Sequence, residues 1–111
     1  MIYIASPYTH EKKEVMQERY EETAKFCAEC IKEDFIVFSS VVHWHAIAGK
    51  YNLPVDAKFW AKLNIELLRG CDTLWVLKLK GWEDSIGVNS EIFAALALNL
   101  DIHYMNPVKE D

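Results

Sequence analysis

Ser85, Gly87 and Glu91 carry the strongest chemical signal in the sequence. Residues 81–95 read GWEDSIGVNSEIFAA, a polar, glycine-bearing loop running into an apolar helical pattern that holds one carboxylate. A helix start leaves backbone N–H groups without intrahelical acceptors, and such a start attracts phosphate or sugar oxygens. Ser85, Gly87 and Val88 would therefore form an anion or sugar cradle. Residues 73–79, TLWVLKL, precede the loop as a buried-strand pattern, which places it where open α/β sheets bind ligands. Glu91, about one turn into the helix, would face the bound molecule. Ser85 equally reads as an ordinary helix cap, and the two roles are compatible.

Two further groups belong to the same edge. Ser6-Pro7-Tyr8 closes the first strand pattern, and His43-Trp44-His45 follows the second. Trp44 or Trp60 would stack on a planar ring, and His43 or His45 would hydrogen-bond it. A His-x-His zinc site needs a third ligand at a reachable position; the sequence offers none, so neither metal nor cofactor is expected. Cys27 and Cys30 form a C-x-x-C, but they lie deep inside a helical pattern, whereas redox pairs sit at a helix N-terminus. They are read as small buried hydrophobes.

The elements that must position these groups alternate. Residues 1–5 read as a strand, 9–33 as a helix with Met16, Tyr20, Thr23, Cys27 and Cys30 at helical spacing, and 35–38 as a second strand. Residues 39–51 read as irregular or short-helical, and Leu53-Pro54 opens a helix to about residue 69. The strand 73–79, a helix over 88–98 and a short strand over 102–104 complete the chain. This order, β-α-β-α-β-α-β, predicts a single-domain α/β three-layer sandwich. Its parallel sheet has four or five strands and is flavodoxin- or Rossmann-like. The domain is expected to span residues 1–107, with 108–111 as a short tail.

Composition narrows the classes. At 111 residues, half of them apolar and about a quarter charged, the chain suits one ordinary globular domain. A formal charge of −5 without a basic stripe argues against polymeric nucleic acid, which demands clustered Lys and Arg. No apolar run approaches a membrane span, so no membrane partner is expected. The start MIYIAS lacks the parts of a secretory signal, so a cytoplasmic protein is expected.

The segments YIASPYT, CDTLWVLKLKGW and the S-x-G-V-x-x-E step from Ser85 to Glu91 resemble the nucleoside 2-deoxyribosyltransferase superfamily, especially its short bacterial and phage branch. The resemblance covers nearly the whole chain. It implies cleavage of the N-glycosidic bond of a deoxynucleoside or deoxynucleoside 5′-monophosphate, with Glu91 as nucleophile, followed by transfer to another base or to water. It implies that Ser85 contacts a 5′-phosphate, that Ser6 and Tyr8 lie near the sugar, and that Tyr8 hydrogen-bonds Glu91. Relatives that hydrolyse nucleotides carry an Arg in the first loop. This chain has none there, leaving His10 or Arg19 as substitutes; an exposed, salt-bridging Arg19 is the alternative. Asn64 stands where the resemblance leads one to expect an Asp that assists the leaving base, and an amide cannot donate a proton as a carboxylic acid does. The helical pattern over 88–98 has too few polar residues for a solvated face and Trp82 precedes it, so a dimer burying Phe93, Leu96 or Leu100 is expected; the resemblance agrees, implying a homodimer or larger assembly. Three other readings stay open: a non-catalytic nucleotide or ADP-ribose-like binder, ribose specificity, and a protein-interaction module with a Trp-rich surface.

Overall fold

The computed structural model describes residues 1–109. Strand β1 (Ile2–Ala5) leads through helix α1 (Lys13–Lys32) to β2 (Val37–Ser39), followed directly by α2 (Ser40–Lys50) and α3 (Ala57–Arg69). Then come β3 (Thr73–Leu77), a 3-10 turn (Trp82–Asp84), α4 (Ile86–Ala97) and β4 (Asp101–Met105). The expected α/β class is the observed one. The four strands are all parallel in the order β2-β1-β3-β4, with Ile2 opposite both Val37 and Thr73, and Thr73 opposite Asp101.

Alternation along β1 sets the layers. Tyr3 and Ala5 join Leu68, Leu74, Val76, Val88 and Ala95 beneath α3 and α4, while Ile4 joins Phe26, Cys27, Cys30 and Leu77 beneath α1. Burial pushes the Cys27 thiol up to about 11 and raises Cys30 as well. That is the reverse of an activated redox pair.

Several boundaries differ from the sequence reading, each for a local reason. Helix α1 begins at Lys13 rather than residue 9, because Thr9 Oγ1 donates to the Val55 carbonyl at 2.6 Å and His10 Nδ1 accepts from the Lys12 amide at 3.0 Å. Side chains that bond nearby backbone in this way hold a loop open. Residues 40–50 form a helix, the helical of the two alternatives read there, started by Ser39, whose Oγ accepts from the Val42 amide at 3.1 Å. Helix α3 starts at Ala57 rather than near residue 53, because the Asp56 carboxylate caps the Phe59 amide at 3.0 Å. Val108, assigned to the tail, packs against the α1-side core; residues 110 and 111 lie outside the described residues.

The strand order reverses direction at β1. The chain leaves β1 toward β2 on one side and returns to β3 on the other, and such a switch opens a crevice beyond the strands' carboxyl ends. Among the described residues no helix is long and apolar enough to cross a membrane.

Candidate active site

That crevice holds a cavity of about 500 Å³. Ser6, Tyr8 and His10 reach it from the loop after β1, Arg19 from α1, and Ser40, Trp44 and His45 from α2. Trp60 and Asn64 line it from α3, and Ser85, Gly87 and Glu91 from the start of α4. The fold thus gathers nearly every residue singled out by type and spacing. His43 and Val88 are the exceptions.

Glu91 lies on the inward stripe of α4 with Val88 three residues before it and Ala95 four after, both fully buried. Its own side chain is 6 % exposed. Desolvation drives its carboxyl up to about 8, partly offset by a hydrogen bond from Tyr3 that favours the anion. Tyr3, not Tyr8, is the partner: the Tyr3 hydroxyl bonds Glu91 Oε2 and stands 3.1 Å from Ser40 Oγ. The Tyr3 phenol is itself raised, first by burial and then by the Glu91 charge, so it stays a donor at neutral pH. Tyr3 points inward from a strand whose other residues are plain core, so nothing in its type or spacing separated it from a packing residue.

Tyr8 is turned elsewhere. Its hydroxyl donates to His45 Nδ1 at 2.7 Å, and His45 Nε2 donates to Gln17 Oε1 at 2.9 Å. The His45 ring also stacks on Tyr20 at 4.1 Å. Burial lowers the His45 pKa, which favours the neutral tautomer these bonds select. His43 does not reach the cavity. It is exposed and packs against the rings of Phe38 and Trp44, because residues two apart on a helix point to different faces.

The start of α4 and Arg19 border the cavity together. Ser85 caps α4, its Oγ accepting from the Val88 amide at 3.2 Å. The Val88 N–H is therefore taken, contrary to its assignment as a ligand donor. The amides of Ile86 and Gly87 precede the first intrahelical bonds and have no carbonyl one turn back. The Ser85 hydroxyl proton is also free, since capping uses only the oxygen as acceptor. Arg19 forms no salt bridge among the described residues. Its guanidinium donates to the carbonyls of Tyr8 (3.3 Å), Thr9 (3.0 Å) and Lys80 (3.4 Å), tying the loop after β1 to the loop after β3. Gly81 makes this possible: its φ of 89° is left-handed, and a Cβ there would sit 3.1 Å from the Arg19 guanidinium. Ser6 Oγ lies 3.1 Å from Thr23 Oγ1, whose hydroxyl donates to the Arg19 carbonyl at 2.7 Å. Asp56 and Asp84 also border the cavity, so its rim carries both signs of charge.

The fold and site define an α/β domain with an all-parallel sheet, a cavity at its switch point, and a buried carboxylate and the start of α4 in the cavity lining. Over residues 1–106 the sequence matches a family model described as a domain of unknown function (DUF1937), and the chain belongs to that family. No curated protein matches the chain.

Proposed function

We propose that the protein cleaves the N-glycosidic bond of a deoxynucleoside 5′-monophosphate or deoxynucleoside, or transfers its deoxyribosyl group, with Glu91 as nucleophile. This reading makes it a member of the nucleoside 2-deoxyribosyltransferase-like group. The observation that carries it is a buried carboxylate, Glu91, lining a cavity of about 500 Å³ and hydrogen-bonded by the Tyr3 hydroxyl. Buried carboxylates are costly, and one held by a dedicated donor in a cleft is a functional candidate. In the ionised state an Oε of Glu91 attacks C1′. The C1′–N bond breaks with its electron pair going to the base, and an ester joins sugar to enzyme. Water or a second base then displaces Glu91. The deciding experiment incubates the protein with a panel of deoxynucleosides and deoxynucleotides, with and without acceptor base, and measures free base by chromatography. Bound but uncleaved ligand across the panel would instead favour the non-catalytic nucleotide binder, a reading supported by Asn64 in place of an acid.

Monophosphates are expected to bind at least about tenfold more tightly than the matching nucleosides, through Ser85, the Ile86 and Gly87 amides and Arg19. Ser85→Ala should erase most of that preference while costing about 1 kcal/mol of stability through the lost cap. Equal affinity for nucleoside and monophosphate in calorimetric titration would remove the phosphate site and point to nucleosides as substrates.

The reading also includes a homodimer. On α4, Ile86, Phe93 and Leu96 are 78 %, 77 % and 62 % exposed, an apolar stripe at spacings of seven and three. Phe59 and Leu63 add exposed apolar surface on α3, which packs along α4. Leu100 does not belong to this face, because it packs on the core with Trp82. Light scattering at micromolar concentration should give twice the chain mass, and Phe93→Glu should return the monomer; a wild-type monomer would end this part of the reading. A cytoplasmic location suits three buried free thiols.

A further inference from the structure

A second cavity, of about 440 Å³, lies on the α1 side of the sheet. The strand register puts it there: Ile4 of the α1-side core stands opposite Trp75, and Trp75 opposite His103, and residues level on neighbouring strands share a face. Of the strands, α1 packs chiefly along β2, so this face of β3 and β4 is left open and Trp75 is only half-buried. Its walls are aromatic. Phe26 and Phe35 each meet Trp75 at 68°, with centroids 6.5 and 5.1 Å away. Three rings crossed in this way form the corner of a box rather than a stack, and aromatic faces carry negative partial charge.

The rim is acidic. Glu29 in the last turn of α1 and Glu33 at its C-cap border the cavity, and no Lys or Arg is among the described residues that line it. A helix C-terminus already carries negative potential and favours cations, so two carboxylates placed there oppose the helix. Glu29 shares an exposed pair with Lys32 at 3.2 Å, an interaction worth little in water. Glu33 has no ion pair among the described residues. Burial first, then the charges of Glu33 and Glu29, raise the Cys30 thiol that lines the cavity with them, so their field reaches inside.

We propose that this cavity binds a small organic cation, an alkylated ammonium of the choline kind, with its methyl groups against Phe26, Phe35 and Trp75 and its charge facing Glu29 and Glu33. Aromatic walls hold quaternary ammonium groups through the attraction of a cation to the ring quadrupole, and the two carboxylates supply the counter-charge. The other ligand classes fit less well. A phosphate or carboxylate ligand would meet two anions, and a neutral apolar one would leave both carboxylates uncompensated. A bare metal ion lacks ligands, since no group of three metal-ligating side chains converges among the described residues. The site is separate from the Glu91 cavity and does not depend on the glycosidic reading.

The test is calorimetric titration of the wild-type protein with choline and with 3,3-dimethylbutan-1-ol, its neutral isostere. Choline should bind with a Kd of about 1 mM or tighter, and at least about tenfold more tightly than the isostere. Glu33→Gln and Phe35→Leu, both at exposed positions, should each weaken choline about three- to tenfold, with folding checked by circular dichroism. Trp44→Phe, in the other cavity, should leave choline affinity unchanged. Three outcomes overturn the proposal: the isostere binding as tightly as choline, choline affinity untouched by both variants at the second cavity, or no saturable choline binding at about 10 mM.

Discussion

Glu91→Gln should lower glycosidic turnover by at least about a thousandfold while leaving nucleotide affinity within a few-fold of wild type. The substitution keeps the shape and the bond to Tyr3 and removes only the charge that attacks C1′, so the loss should fall on kcat. The wild-type rate should also carry the carboxyl's signature. Desolvation holds Glu91 near 8, so the reactive anion is a minority at pH 6 and predominates above pH 8. Activity should rise across that interval. Tyr3→Phe removes a hydrogen bond that lowers the Glu91 pKa, so its profile should move further alkaline and its rate at pH 7 should fall. A Glu91→Gln protein that releases base at the wild-type rate would refute the nucleophile, and a flat profile from pH 6 to 9 would refute its protonation state.

Glu91 was legible because a single carboxylate interrupts an otherwise apolar helix, and the buried stripe Val88-Glu91-Ala95 is the structural form of that anomaly. The sheet was legible for the same kind of reason, since buried parallel strands read as short apolar runs between helical periods. Tyr3 was not, because a strand's alternation says which face a side chain takes and nothing about which polar group waits there. Tyr8 was misassigned for the complementary reason: a residue beyond the strand end follows the loop's path, and that path turns its hydroxyl toward His45. Helix α2 was left undecided between irregular and short-helical by composition. Its residues SVVHWHAIAGK lack a charged face, so the period that separates a helix from a loop was missing, and with it the divergence of His43 from His45. The Arg19 clamp joins α1 to a carbonyl 61 residues further on, a separation that no local pattern reports.

The same carboxylate should make the protein less stable than its inactive variant, and increasingly so as pH rises. Glu91 has an ordinary pKa of 4.5 when the chain is unfolded and about 8 when folded. Between those values the folded state holds a proton that the unfolded state has released, so folding is progressively penalised as pH climbs through the interval. The penalty is absent below pH 4.5 and complete above about 8. At about 1.4 kcal/mol per pH unit, it amounts to roughly 3 kcal/mol at pH 7 and roughly 4 to 5 kcal/mol at pH 9. A domain of this size has about 5 to 15 kcal/mol in total, so the site consumes a large share of it. Gln at 91 cannot ionise. Urea unfolding of wild type and Glu91→Gln should therefore give matching midpoints near pH 5 and diverge by about 3 kcal/mol or more at pH 9, with the variant the more stable. Parallel pH–stability curves for the two proteins would mean that Glu91 is not desolvated in the folded chain, which would also remove the physical basis for its alkaline activity profile. Divergence in this direction, together with lost turnover, would show stability given up at the residue that carries the chemistry.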